Sequence, residues 1–222
     1  MGINVIPANI FQFVVDINLD NFEQYAMTLE DLLVREQKQF DSRVKEAESK
    51  WQGQDRNEFY SMYEDDYWRL SEIFPNLLRS SFFITCYSFL EHTLLDLCGY
   101  FQKKYKYTVE LPDLAGKGIF KARTYLKKVV GIDFPDQFSS WADIVTFTYI
   151  RNFIVHNDGQ LDKSNHVAEV KSFINQRQWI SVDTLHERIQ FTGNYYQKII
   201  DILRKFFDEL FAAISKMQIP QP

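Results

Sequence analysis

Only 8 glycines and 6 prolines interrupt the 222 residues of this chain, too few for a turn-rich β-sandwich and in keeping with long helices. Cysteine is scarcer still. Cys86 and Cys98 are the two present, and about 18 Å of helical rise separates them, so they cannot pair within one helix. Both read as buried free thiols. No run of 18 or more apolar residues occurs, which excludes an ordinary membrane-spanning helix. The first residues, MGINVIPANIFQFVVDINLD, have no basic region ahead of an apolar run, so the protein is expected to be soluble and cytoplasmic. Also missing are internal repeats, a glycine-rich phosphate loop and elbow glycines around Ser80-Ser81. Those absences remove solenoids, the common nucleotide loops and serine-hydrolase chemistry.

What is present is apolar and aromatic. A hydrophobic content of 45%, with 16% aromatics, excludes wholesale disorder and suits one large helical domain with a sizeable core. The net charge of −5 argues against a nucleic-acid protein, but it is unevenly spread. Residues 1–75 carry 15 acidic and 7 basic side chains, a balance of −8. Residues 103–128 hold Lys103, Lys104, Lys106, Lys117, Lys121, Arg123, Lys127 and Lys128 against Glu110 and Asp113, a balance of +6. Tyr100, Phe101, Tyr105, Tyr107, Phe120 and Tyr125 lie in or beside that stretch. Such interleaving can hold a phosphate backbone and stack unpaired bases, though a solvated helix end followed by a loop and an amphipathic helix is enough to explain it.

The spacing of apolar residues predicts an all-α bundle of roughly six helices around a long buried central one. Residues 1–18 read as a short extended arm. A helix follows from about Asp20 to Lys50, and Gly53 separates it from a second, about Asp55 to Phe74, which Pro75 ends. These two form an N-terminal hairpin with a charged outer face, over 1–75. The third helix, about Asn76 to Tyr105, contains FFITCYSFLEHTLLDLCGYF, apolar almost all round and so packed on several sides. A shorter basic helix spans about Ile119 to Val130, and another runs from about Ser139 to Asn157, completing a core segment over 76–160. Beyond it, 160–180 reads as irregular, QWISV and ERIQF as a small β-hairpin, and about Asn194 to Met217 as the last helix, within a final segment of 161–222.

The residues that carry chemistry close the helix at 139–157. They read RNFIVHNDG, from Arg151 to Gly159. Arginine, asparagine and histidine are costly in so apolar a segment unless they are paired or put to use. Arg151 falls on the stripe of Ile144, Phe147, Thr148 and Val155, and Asn152 stacks between Thr148 and His156. At 100° per residue Arg151 and His156 lie about 140° apart, so a regular helix does not aim both at one phosphate. They converge if the last turn loosens near Asn157-Asp158-Gly159, where Gly159 is placed for a left-handed cap, or if two copies of the chain share a cleft.

This spacing of arginine, a polar residue, three more residues and histidine resembles the signature of the HEPN superfamily. The likeness covers the RNFIVHNDG helix closely, and more loosely the preceding helix with SFLEHTLLDL. It implies one helical domain over 1–222 and a homodimer whose motif helices face each other. It also implies a metal-independent endoribonuclease of bacterial defence or a toxin–antitoxin system, acting on single-stranded RNA, with an antitoxin or regulatory protein as a further partner. Carried over by position, Arg151, Asn152 and His156 are the catalytic candidates, and no metal or cofactor is expected. One protomer's His156 would take the 2′-hydroxyl proton and the other's would protonate the leaving oxygen, with Arg151 stabilising phosphorane charge and Asn152 orienting. Some members have a tyrosine two residues after the histidine. Asp158 stands there, so the regulation tied to that tyrosine is not inferred.

Glu91 lies on an apolar stripe of the central helix, and Arg151 is the natural cation for it, in a supporting role. His92 and Asp96 form an ordinary i, i+4 pair. His166 and His186 have no ligand-like spacing, and Glu64-Asp65-Asp66 reads as a solvated face, so no metal site is expected. The competing functional class is a non-catalytic module in which Arg151 and His156 serve recognition of a nucleotide or protein, or packing, as the acidic balance favours.

Overall fold

The computed structural model describes residues 8–53, 55–161, 165–183 and 187–217. Its first helix, α1 (Ala8–Lys50), is 43 residues and about 65 Å long. It begins well before Asp20, so the extended arm expected over 1–18 is helical from Ala8 onward, residues 1–7 lying outside the described residues. The reason is a core stripe that runs on without a break. Val15, Leu19 and Ala26 are buried, and Phe11 and Phe22 pack edge-on against Tyr100 and Phe89.

The hairpin's second limb is more broken than its apolar spacing suggests. It consists of α2 (Arg56–Ser61), capped by the Asp55 carboxylate accepting from the Asn57 N–H at 2.8 Å, and α3 (Glu64–Trp68). A π-helical turn, Arg69–Ile73, then leads without a gap into α4 (Phe74–Tyr105). Pro75 therefore ends nothing. It lies within a continuous helix, just after the π turn, whose wider winding makes room for a ring that would clash with the carbonyl before it. Phe40 and Phe59 are buried here, apart from the main core, with Phe59 against Trp51 and Tyr63.

Helix α4 is the centre of the bundle, packed on several sides by its neighbours, with one stripe, Ser81, Thr85, His92 and Asp96, left exposed. Phe89 meets α1. The Cys98 thiol lies 3.7 Å from the Ala122 carbonyl in α5 (Gly118–Lys128). Phe83 packs on Phe147 of α6 (Ser139–Asn157) at 5.1 Å and stacks on Phe191 of β2 (Ile189–Phe191) at the same distance. Phe82 and Phe89 meet Tyr195 and Phe207 of α8 (Tyr195–Ser215). One cluster of buried residues extends from Val15 to Ile214, confirming the all-α bundle with its central helix.

The expected hairpin is present: β1 (Ile180–Val182) pairs antiparallel with β2, Ile180 opposite Phe191. The stretch 160–180 is not wholly irregular, because α7 (Val167–Asn175) forms within it. Val170, Phe173 and Ile174 make the buried face that drives it, Phe173 meeting Phe147 and Trp179. Among the described residues no helix is long and apolar enough to cross a membrane.

Candidate functional site

Helix α6 is anchored by Trp141, Ile144, Phe147, Ile150 and Phe153, all buried. Spaced by three, they wind around the helix, so its N-terminal half packs on Phe206 of α8 and its middle on α4. What the winding stripe leaves free at the C-terminal end is the face of Tyr149, Asn152 and His156. Asn152 and His156 are exposed and Arg151 half-buried, so these polar groups are displayed and not sunk in the core.

The end of α6 is firmly closed. The helix stays regular through Asn157, and Asp158, not Gly159, takes the left-handed cap at φ 53°, with Gly159 following at φ 78°. The Gly159 N–H donates to the Phe153 carbonyl at 2.9 Å, and the Ile189 N–H donates to the Gly159 carbonyl at 2.9 Å. Asp158 pairs with Arg188 at 2.7 Å. The last turn does not loosen, so Arg151 and His156 stay on separate faces of one helix.

Asn152 links those faces. Its carbonyl oxygen accepts from Arg151 Nη1 at 3.1 Å, which leaves its amide N–H groups to donate outward. Asn152 and His156 line an open cavity of about 400 Å³, walled further by Tyr149, Phe153, Asn157, Asn165 and His166. Arg151 does not line it. The His166 ring lies flat on Tyr149, centroids 3.7 Å apart and planes within 5°.

Glu91 does not pair with Arg151 as expected. Both carry charge near the Tyr87 hydroxyl, which burial pushes above its ordinary range and which donates to Thr148 Oγ1 at 3.1 Å. The Glu91 carboxylate instead lies against Gly118 at the start of α5, so close that a Cβ there would press on Oε1. That end of a helix favours a negative charge. His92 likewise binds the Ser88 carbonyl, at 2.8 Å, and not Asp96.

The basic stretch is partly spent inside the molecule. Arg123 and Lys127 both bind Asp136, at 2.9 and 2.7 Å, Lys104 donates to the Tyr100 hydroxyl, and Lys121 to the Pro112 carbonyl. Lys103, Lys106, Lys117 and Lys128 are exposed. Of the interleaved aromatics only Phe120 is exposed, while Tyr100, Phe101 and Tyr125 are core residues, so the stacking surface expected there is mostly buried.

A larger cleft of about 520 Å³ lies between the distal half of α1 and α2–α3, among Phe40, Glu48, Tyr60, Tyr63 and Tyr67. Among the described residues it holds no histidine and no motif residue. Among the described residues no cluster of histidine, cysteine and carboxylates is arranged to hold a metal, and His186 lies outside them.

Tyr149, Asn165 and His166 are the site residues that sequence reasoning passed over. The signal within reach was the VAEVKSFI pattern of α7, which places His166 at that helix's N-terminal boundary. Compared with family models, curated proteins and solved structures, the chain matches none, so geometry carries the functional reading.

Proposed function

We propose that this protein is a metal-independent endoribonuclease of HEPN type, acting on single-stranded RNA. The observation that carries the reading is the placement of His156: exposed at the fixed end of α6, beside an open cavity, with Arg151 tied to Asn152 on the cavity wall. His156 transfers a proton, the Asn152 amide donates to a phosphate oxygen, and Arg151 supplies charge next to it. Such a reaction leaves a 2′,3′-cyclic phosphate and a 5′-hydroxyl and needs no metal. The resemblance adds a homodimer through the motif helix and a role in defence or a toxin–antitoxin system with a regulatory partner. The test is cleavage of a labelled single-stranded RNA with and without EDTA. Activity that survives the chelator and disappears in His156→Ala supports the reading, and loss of activity to EDTA overturns it.

The second reading is a non-catalytic module binding a nucleotide or protein. It is favoured by the net charge of −5 and by the basic side chains that bind internal partners. Saturable nucleotide binding by calorimetry, with no RNA cleavage, would decide for it.

A further inference from the structure

Cleavage by 2′-hydroxyl attack requires one group to take a proton and another to give one. We infer that His166 of the same chain is the partner of His156, so that one protomer's cavity holds a complete acid–base pair. This inference rests on the ribonuclease reading and deepens it.

Both histidines line the cavity, together with the amides of Asn152, Asn157 and Asn165, and no carboxylate does among the described residues. That lining suits an anionic phosphodiester: neutral donors hold its oxygens and two imidazoles stand beside it. His166 is also held as a reactive imidazole needs to be. Stacking on Tyr149 fixes its plane. Its Nδ1 is shielded from solvent with no hydrogen-bond partner among the described residues, and Glu169 Oε1 lies 3.6 Å away, just outside hydrogen-bond reach. Glu169 is an exposed residue in the first turn of α7, so a small rotation closes that contact. The carboxylate then keeps a proton on Nδ1, leaves Nε2 free to accept one, and stabilises the imidazolium that forms.

The roles follow. His166 Nε2 takes the proton of the 2′-hydroxyl as the bond from O2′ to phosphorus forms. The bond from phosphorus to O5′ breaks, and His156, as imidazolium, gives its proton to O5′. The products are the cyclic phosphate and the 5′-hydroxyl, and the two histidines end with their proton states exchanged. Proton exchange with water resets them.

Two substrates separate the roles: an RNA oligonucleotide, and uridine 3′-(4-nitrophenyl phosphate), whose phenolate departs without needing a proton. His166→Phe keeps the stack on Tyr149 and His166→Gln is the second variant, each accepted once its melting temperature matches wild type. The His166 variants are expected to lose about 10²–10⁴-fold on both substrates. His156→Ala is expected to lose as much on RNA and to recover most of it on the nitrophenyl ester. Glu169→Gln is expected to lower kcat with KM little changed. Mixed dimers of His156→Ala and His166→Phe chains stay inactive if the pair lies within one chain, and recovered activity overturns that. If His156→Ala abolishes RNA cleavage and the His166 variants do not, the inference falls while the ribonuclease reading stands. If the wild-type protein cleaves neither substrate, both fall.

Discussion

Arg79 grips Glu30 through two parallel bonds, Nε to Oε1 and Nη2 to Oε2, each 2.9 Å. Its remaining Nη1 donates to the Phe191 carbonyl at 3.0 Å, and its guanidinium lies 5.7 Å from the centre of the Tyr195 ring. One side chain thereby joins α1, α4, β2 and α8. Both partners are about four-fifths shielded, so the bonds are only weakly screened by water. Arg79→Ala is expected to cost about 2 kcal/mol by urea denaturation, and Arg79→Lys most of that, because a lysine cannot fork.

Asp136 gives stability a defined pH dependence. Its carboxyl is held below the ordinary carboxylate range, first by Lys127 and then, against the opposing effect of burial, by Arg123. A depressed folded-state pKa stabilises above the unfolded value of about 4 and stops doing so as pH falls through the folded one. Asp136→Asn should therefore melt below wild type at pH 7, with the two melting curves converging as pH drops below about 4.

Gly118 tests the position of Glu91. At φ 55°, and with Oε1 of Glu91 where a Cβ would press on it, Gly118→Ala meets both backbone strain and a carboxylate. A loss of about 1–2 kcal/mol is expected from the backbone conformation alone. Because Glu91→Ala clears the carboxylate, the double variant should be more stable than the sum of the two single losses. Additive losses in chemical denaturation would show that the two residues do not meet.

The thiols should be inert in the folded protein. Burial pushes Cys98 up to about 12 and Cys86 further still, so neither supplies thiolate near neutral pH. Ellman's reagent at pH 8 is expected to titrate neither thiol natively, and both Cys86 and Cys98 once the protein is unfolded.

Arg151 is half-buried, and among the described residues the hydrogen bond it makes is to its chain neighbour Asn152. Arg151→Ala is accordingly expected to change stability by no more than about 0.5 kcal/mol while abolishing RNA cleavage. A large drop in melting temperature would make Arg151 a structural residue.

Much of this fold is visible in the chain because it is locally determined. The run Ser139–Asn157 emerges with the bounds its pattern predicts, since apolar spacing begins it and Asn157-Asp158-Gly159 provides the residues for a left-handed cap. The hairpin before the last helix is also where its β-branched and aromatic content puts it. Local reading went astray where context overrides a single residue. Pro75 breaks helices in isolation, yet it is accommodated at the first turn of α4 by a π turn. The basic stretch suits either a phosphate backbone or a solvated helix end, and sequence does not reveal that Asp136 folds back onto Arg123 and Lys127.

The sequence by itself determined most of the long helices, the packed centre in α4, and the 140° between Arg151 and His156, because each depends on residues within a few turns of one another. Which groups face one another was left to the tertiary structure. The turn at Asp158-Gly159, held by Arg188 and Ile189, sends the chain back so that His166 comes to rest on Tyr149 beside His156. Packing likewise sets Glu91 against Gly118 and away from Arg151. Such pairings depend on the path of the whole chain, and helical periodicity carries no information about that path.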